Sequence, residues 1–250
     1  MTFSLEVIRE LLAGSVEPRL ALKEAYAQLP GTRCQRRANC CSLLPEMSLL
    51  EALAAIQLLL EMKPDQRLRM RNRLLCYFFL NPAKILTCPF LEGHDCLVYQ
   101  ERFFGCRAYG LWSREYYQKQ AKRSRQAKLL SQQQWQKLGV VLPQEVVGFH
   151  LDYCSQVELE GDVAVNDELL VQTSDVIDSI SAQLVPWHEQ FRQQYFSDLS
   201  FLLASISLGQ QQAIQLKFEI VRDTLSTGNH EKVEDTINKV EDFFKDLESK

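Results

Sequence analysis

Apolar residues along this 250-residue chain recur mostly three and four positions apart, the period of a helix that buries one face. Residues 3–29 carry two such runs, broken between Gly14 and Pro18, and "LPG" at 29–31 stops the second. Pro45 marks the expected start of a helix on which Leu49, Leu50, Leu53, Ile56 and Leu60 recur at helical spacing. Pro64 opens "PDQRLRMRNRLLCYFFL", apolar in its later half at Leu74, Leu75, Phe78 and Phe79. Its arginines at 67, 69, 71 and 73 alternate as on a strand, yet the segment as a whole reads as helix.

Between Cys88 and Gly110 the period is lost. Pro89, Gly93 and Gly105 punctuate "PFL" and "CLVY", with "EGHD" between them, which predicts a small hairpin. A polar helix follows from about Arg114 to Leu138, then a less regular stretch to about 175, then helix to the end. Val233, Ile237, Val240, Phe244 and Leu247 form a heptad-like stripe, preceded by Gly228 as a stop and Asn229 as an N-cap. The stripe spans too few heptads for a coiled coil and predicts a helical hairpin packed in the protein's own core. The expected fold class is mainly α. A small cysteine-rich metal-binding knuckle on a short β-hairpin sits among the helices of region 1–112, and 113–250 is a helical C-terminal extension.

Composition narrows the class. A hydrophobic content of 46% is enough for a full core, while ten glycines and eight prolines argue against an all-β or fibrous chain. "LLEALAAIQLLL" is too short to span a bilayer and is interrupted by Glu51 and Gln57. "MTFSLEVIRE" lacks a basic start followed by an apolar run, so a cytoplasmic address without membrane association is expected. In a reducing compartment, eight cysteines point to metal ligands or catalytic thiols before disulfides.

Charge is distributed unevenly. Residues 1–130 hold 20 Lys+Arg against 12 Asp+Glu, a net +8, and residues 131–250 hold 8 against 20, a net −12. Such a split suits two halves that pack together, or a basic face for an acidic partner. "REYYQKQAKRSRQAK" (114–128) concentrates cations with two tyrosines, but the acidic pI near 5.7 makes a solvated helix face the expectation over nucleic-acid binding. A protein partner is expected at the C-terminal helices.

The candidate chemistry is sulfur. "CQRRANCC" carries Cys34, Cys40 and Cys41; "CPFLEGHDCLVYQERFFGC" carries Cys88, Cys96 and Cys106. Zinc takes four ligands in a structural site and iron–sulfur clusters are held by four, so neither group suffices alone. If one site exists, the two groups meet across the 46 residues between them. Arg36, Arg37, Arg102 and Arg107 lie beside these cysteines and would offset the negative charge of gathered thiolates, which makes them the candidate cofactor-binding residues. Cys76, in "LLCYFFL", reads as core. "FHLDYC" would set His150 and Cys154 on one face of a helix, as a metal pair can be, but with no second pair nearby an ordinary role is expected for both. His94, in the turn between Cys88 and Cys96, reads as a solvated loop histidine before a ligand.

The cysteine pattern resembles the YkgJ-type cysteine-cluster family, described as a zinc- or iron-chelating domain. That family's first element reads C-x-x-C-G-x-C-C. Cys34, Cys40 and Cys41 match its first, third and fourth cysteines, while Arg37 and Ala38 stand at the second cysteine and the glycine. "CPFL" at 88–91, "CLVYQER" at 96–102 and "CR" at 106–107 resemble its second element, with Phe103 in place of a proline. The likeness covers roughly residues 30–110 and implies metal binding more firmly than any reaction. Three functions follow as expectations: an iron–sulfur protein in electron transfer or redox chemistry; a zinc-stabilised interaction module; or a protein-modifying transferase whose cluster is structural. No glycine-rich nucleotide loop, HExxH or CxxxCxxC spacing is present.

Overall fold

The computed structural model describes residues 2–34, 38–161 and 164–248, with Cys34 and Glu248 described by their backbone alone. The protein is mainly helical. Helices α1 (Leu5–Gly14) and α2 (Val16–Ala27) lead to a short strand β1 (Thr32–Cys34), and then come α3 (Leu49–Glu61) and α4 (Pro64–Leu80). Strands β2 (Leu91–Glu92) and β3 (Asp95–Cys96) form a minimal hairpin, followed by the short α5 (Phe104–Ala108). The long α6 (Arg114–Lys137), α7 (Gln144–Gly148) and β4 (Val157–Leu159) come next. Helices α8 (Asp167–Ser181), α9 (Trp187–Gln194), α10 (Leu199–Leu208), α11 (Gln210–Thr227), α12 (Glu231–Lys239) and α13 (Phe243–Glu248) complete the chain.

The core is organised around α4, which packs against α3, α10, α11 and α12. Leu74, Leu75, Phe78 and Phe79 of α4 are all buried, and Phe78 stacks on Phe201 with centroids 5.2 Å apart. The same core takes Phe3 and Ile8 from α1's end and Phe191, Tyr195, Ile220 and Phe244 from the far end of the chain, so residues on both sides of position 112 share it. The helical period therefore wins over the alternating arginines of α4. Arg67 and Arg71 are themselves buried, with Arg71 Nη1 donating to the Glu241 carbonyl at 3.1 Å.

That arginine also accounts for a departure at the C-terminus. The stripe from Val233 to Leu247 is not one continuous helix, because α12 ends at Lys239 and α13 starts at Phe243. Arg71 docks on the break, at the Glu241 carbonyl and 3.9 Å from Asp242 Oδ1. Val233, Ile237, Val240 and Phe244 are nonetheless all buried in the main core. Gly228 ends α11 in the left-handed conformation; the N-cap of α12 is His230 and not Asn229, whose side chain accepts from Glu231 N at 2.8 Å from one position earlier.

A second departure lies at Pro45. Helix α3 begins four residues later, because Met47 N–H is drawn to the Ser197 carbonyl (3.0 Å) and Ser48 supplies the cap. Ser48 and Glu51 form a capping box. Glu51 is almost fully buried and does more than cap: its carboxylate also accepts from Tyr26 OH (2.6 Å) and Phe104 N (2.7 Å). One side chain thus joins α2, the start of α3 and the start of α5.

Helix α6 behaves as a solvated face. It has no buried residue and packs mainly on α7, with Lys119 paired to Glu115 at 2.8 Å and Lys128 donating to the Phe149 carbonyl. Among the described residues, no helix is long and apolar enough to cross a membrane.

Candidate functional site

The two cysteine groups are brought together. The residues after β1 form a tight turn at Asn39–Ser42 that carries Cys40 and Cys41, entered through Ala38 in a left-handed conformation (φ 59°). Leu44 N, just beyond, bonds Tyr77 OH of α4 at 3.0 Å. The Cys88 N–H donates to the Cys41 carbonyl at 2.7 Å, a direct backbone link between the two sequence groups. From Cys88 the chain turns into the β2–β3 hairpin: Leu91 N bonds the Cys88 carbonyl at 3.0 Å, and Leu97 N returns to the Phe90 carbonyl at 2.9 Å. Gly93 takes a positive φ of 60° at the tip. Arg73 of α4 donates to the Leu91 carbonyl and so fastens the hairpin to the core. Cys106 follows on α5, whose first turn is anchored by Glu51.

These elements enclose a cavity of about 140 Å³ lined by Cys40, Cys41, Cys88, Cys96 and Cys106. Phe90, Val98 and Phe103 are its apolar lining, with Phe90 and Phe103 rings 5.7 Å apart; His94, Asp95, Tyr99 and Arg102 line it as well. All the described cysteines are free thiols, and the Cys40 and Cys41 sulfurs are 3.8 Å apart. Among the described residues, no three His, Cys, Asp or Glu side chains already stand in an arrangement that would hold an ion. Five thiols face one space without meeting at one point.

Burial and mutual proximity perturb these thiols. Burial pushes the Cys88 thiol up to about 12, and it raises Cys96 as well. Cys106 lies well above the ordinary thiol value, first through burial and then through the neighbouring Cys88, Cys40 and Cys96. Within the adjacent pair, the hydrogen bond between the two sulfurs lowers Cys40 and raises Cys41. Each thiolate in this space disfavours the next, and a cation in it would reverse that repulsion.

The candidate arginines divide. Arg102 lines the cavity, with its guanidinium 4.0 Å over the Tyr99 ring and Nε donating to the Tyr99 carbonyl at 3.1 Å; its charge favours ionisation of Cys40, Cys96 and Cys106. Arg107 is a structural tie. It donates to the Arg102 and Gln100 carbonyls, both at 2.6 Å, and stacks over Tyr26 at 4.4 Å. Arg36 and Arg37 lie outside the described residues, as does the side chain of Cys34, whose backbone pairs in β1 opposite Val157 of β4.

Cys76 is half-buried against the main core, as its apolar run implied. The pairing of His150 with Cys154 fails, because residues 149–156 form neither helix nor strand. His150 faces a surface groove with Tyr117 and Lys122, while Cys154 lines a different cavity. The helical spacing was a coincidence of a segment held by side-chain contacts, including Tyr109 OH to the Asp152 carbonyl at 2.6 Å. Arg73 and Glu51, which position the hairpin and α5, were not singled out as site residues. The alternating arginines were the one visible trace of Arg73, and the buried reach of Glu51 to Tyr26 and Phe104 left none. The chain matches no protein-family model, no curated protein and no solved structure.

Proposed function

We propose that this chain is a cysteine-cluster metal protein holding an iron–sulfur cluster, in an electron-transfer or redox role. The observation that carries the reading is the gathering of Cys40, Cys41, Cys88, Cys96 and Cys106 around one cavity, from two groups far apart in sequence. The donor set is all sulfur and exceeds the four that a mononuclear zinc site takes. Soft thiolates select iron–sulfur clusters, zinc or copper(I) over hard cations.

When bound, such a cluster would supply one-electron chemistry, and the chain's residues do the rest. Cys40 and Cys41 would hold it from the turn, Cys88 and Cys96 from the two ends of the hairpin, and Cys106 from α5. Phe90, Val98 and Phe103 exclude water from one side, which strengthens every charge interaction inside. Arg102 offsets the negative charge of the ionised thiols. Among the described residues the sulfurs do not already stand in an ion-holding arrangement, in keeping with sites whose order comes with the metal.

Purification without oxygen tests this. Iron and sulfide in stoichiometric amounts, with a brown colour and visible absorption, would support the cluster. A colourless chain with one zinc per molecule would replace it with a zinc-stabilised module. A metal-free chain that folds and melts cooperatively would end both.

A further inference from the structure

Next to the thiol cavity lies a second one of about 220 Å³. Cys40, Cys106 and Arg102 line both, so the two spaces share a wall made partly of sulfur. Cys154 also lines the second cavity, together with Tyr109, Tyr153 and Gln156. It reaches this place from a stretch with no helix or strand of its own, and such a stretch takes its position from tertiary contacts.

Those contacts are numerous and point the same way. Tyr109, three residues after Cys106, bonds the Asp152 carbonyl at 2.6 Å. Tyr117 donates to the Leu151 carbonyl, its ring packs 5.5 Å from Tyr153, and Arg114 lies 5.2 Å over Tyr153. β4 then pairs with β1, setting Val157 opposite Cys34. Gly110 lets this segment close on α5: a Cβ built there would be 2.5 Å from Val157 Cγ2 and 3.4 Å from Cys154 Cβ. The segment is thereby seated on the two chain stretches that carry the other cysteines, and its thiol opens onto the same space as Cys40 and Cys106.

We propose that Cys154 is a further sulfur ligand of the centre, reaching it through the second cavity, which Cys40 and Cys106 also line. The inference rests on the proposed metal centre. A core role does not account for the residue, since it is part exposed and lines a cavity whose other sulfurs are Cys40 and Cys106. Cys76 is the natural control, being a half-buried thiol packed on the main core and absent from both cavities.

The test compares wild-type full-length chain with Cys154→Ser and Cys76→Ser, all purified without oxygen. Metal content, visible spectrum and the rate of metal loss to a chelator are measured for each. Cys154→Ser should alter the spectrum and lose metal at least tenfold faster, while Cys76→Ser matches wild type. A loaded wild type with a Cys154→Ser variant identical in content, spectrum and release overturns the role of Cys154 and leaves the centre standing; a metal-free wild type overturns the centre itself. Should Cys154→Ser fail to fold, alkylation of the wild-type chain replaces it. Mass spectrometry should find Cys154 protected when metal is loaded and modified after stripping, and equal modification in both states overturns the proposal.

Discussion

Glu51 is the sharpest place to test how the site is held. Its buried carboxylate accepts four hydrogen bonds: from Ser48 N (2.8 Å), Ser48 OH (3.0 Å), Tyr26 OH (2.6 Å) and Phe104 N (2.7 Å). Hydrogen bonds to a charged group contribute about 1.5–3 kcal/mol each, and an unanswered buried donor costs about 1–3 kcal/mol. Ser48, Tyr26 and Phe104 are all part exposed, but Tyr26 OH and Phe104 N belong to other elements and lose the partner that joins α2 and α5 to α3. Glu51→Ala should therefore destabilise by about 3–5 kcal/mol, a large share of the roughly 5–15 kcal/mol of a typical domain. Glu51→Gln retains one accepting oxygen but turns an NH2 group towards donors, for a loss of about 2 kcal/mol. Urea unfolding followed by circular dichroism at pH 7 measures both. Because Phe104 opens the helix that carries Cys106, anaerobically purified Glu51→Gln should also bind metal less tightly than wild type while remaining folded. A Glu51→Ala variant within about 1 kcal/mol of wild type would refute the network as the clamp between α2, α3 and α5.

Three further outcomes are expected. Cys88→Ser should lose bound metal and soluble yield together, as judged by elemental analysis and expression, and unchanged metal content would remove Cys88 from the ligand set. Gly110→Ala should lose about 2–4 kcal/mol in urea unfolding, since alanine is strained at φ 85° and its Cβ would meet Val157 at 2.5 Å. Burial lowers Lys217 to about 8 above the Phe78 ring, partly offset by Asp198. A lysine lowered in the folded state leaves the unfolded chain holding more proton between pH 8 and about 10.4, so wild-type stability should rise across that window. Below it the charged amine carries a constant penalty. Lys217→Met should be the more stable protein at pH 7, by about 2 kcal/mol, with the difference shrinking towards pH 10; a pH-independent difference would sink this account.

The amino-acid sequence by itself determined the helices and their content. The heptad-like and three-four spacings, Pro64 and Gly228 all act within a few residues, where backbone hydrogen bonding and side-chain faces are local matters. It also held the two cysteine groups and the hairpin turn at "EGHD". Only the tertiary structure decided which distant residues meet. The Cys88–Cys41 backbone link, the reach of Glu51 to Phe104, the docking of Arg71 on the break between α12 and α13, and the seating of Cys154 beside Cys40 and Cys106 all join segments tens to hundreds of positions apart. Such contacts leave no periodic trace, because they depend on how whole helices pack and not on the spacing along any one of them. The same reason separates His150 from Cys154: a four-residue interval places two side chains together only if the segment is a helix, and here the tyrosines of α6 and the loop after α5 hold it in another shape.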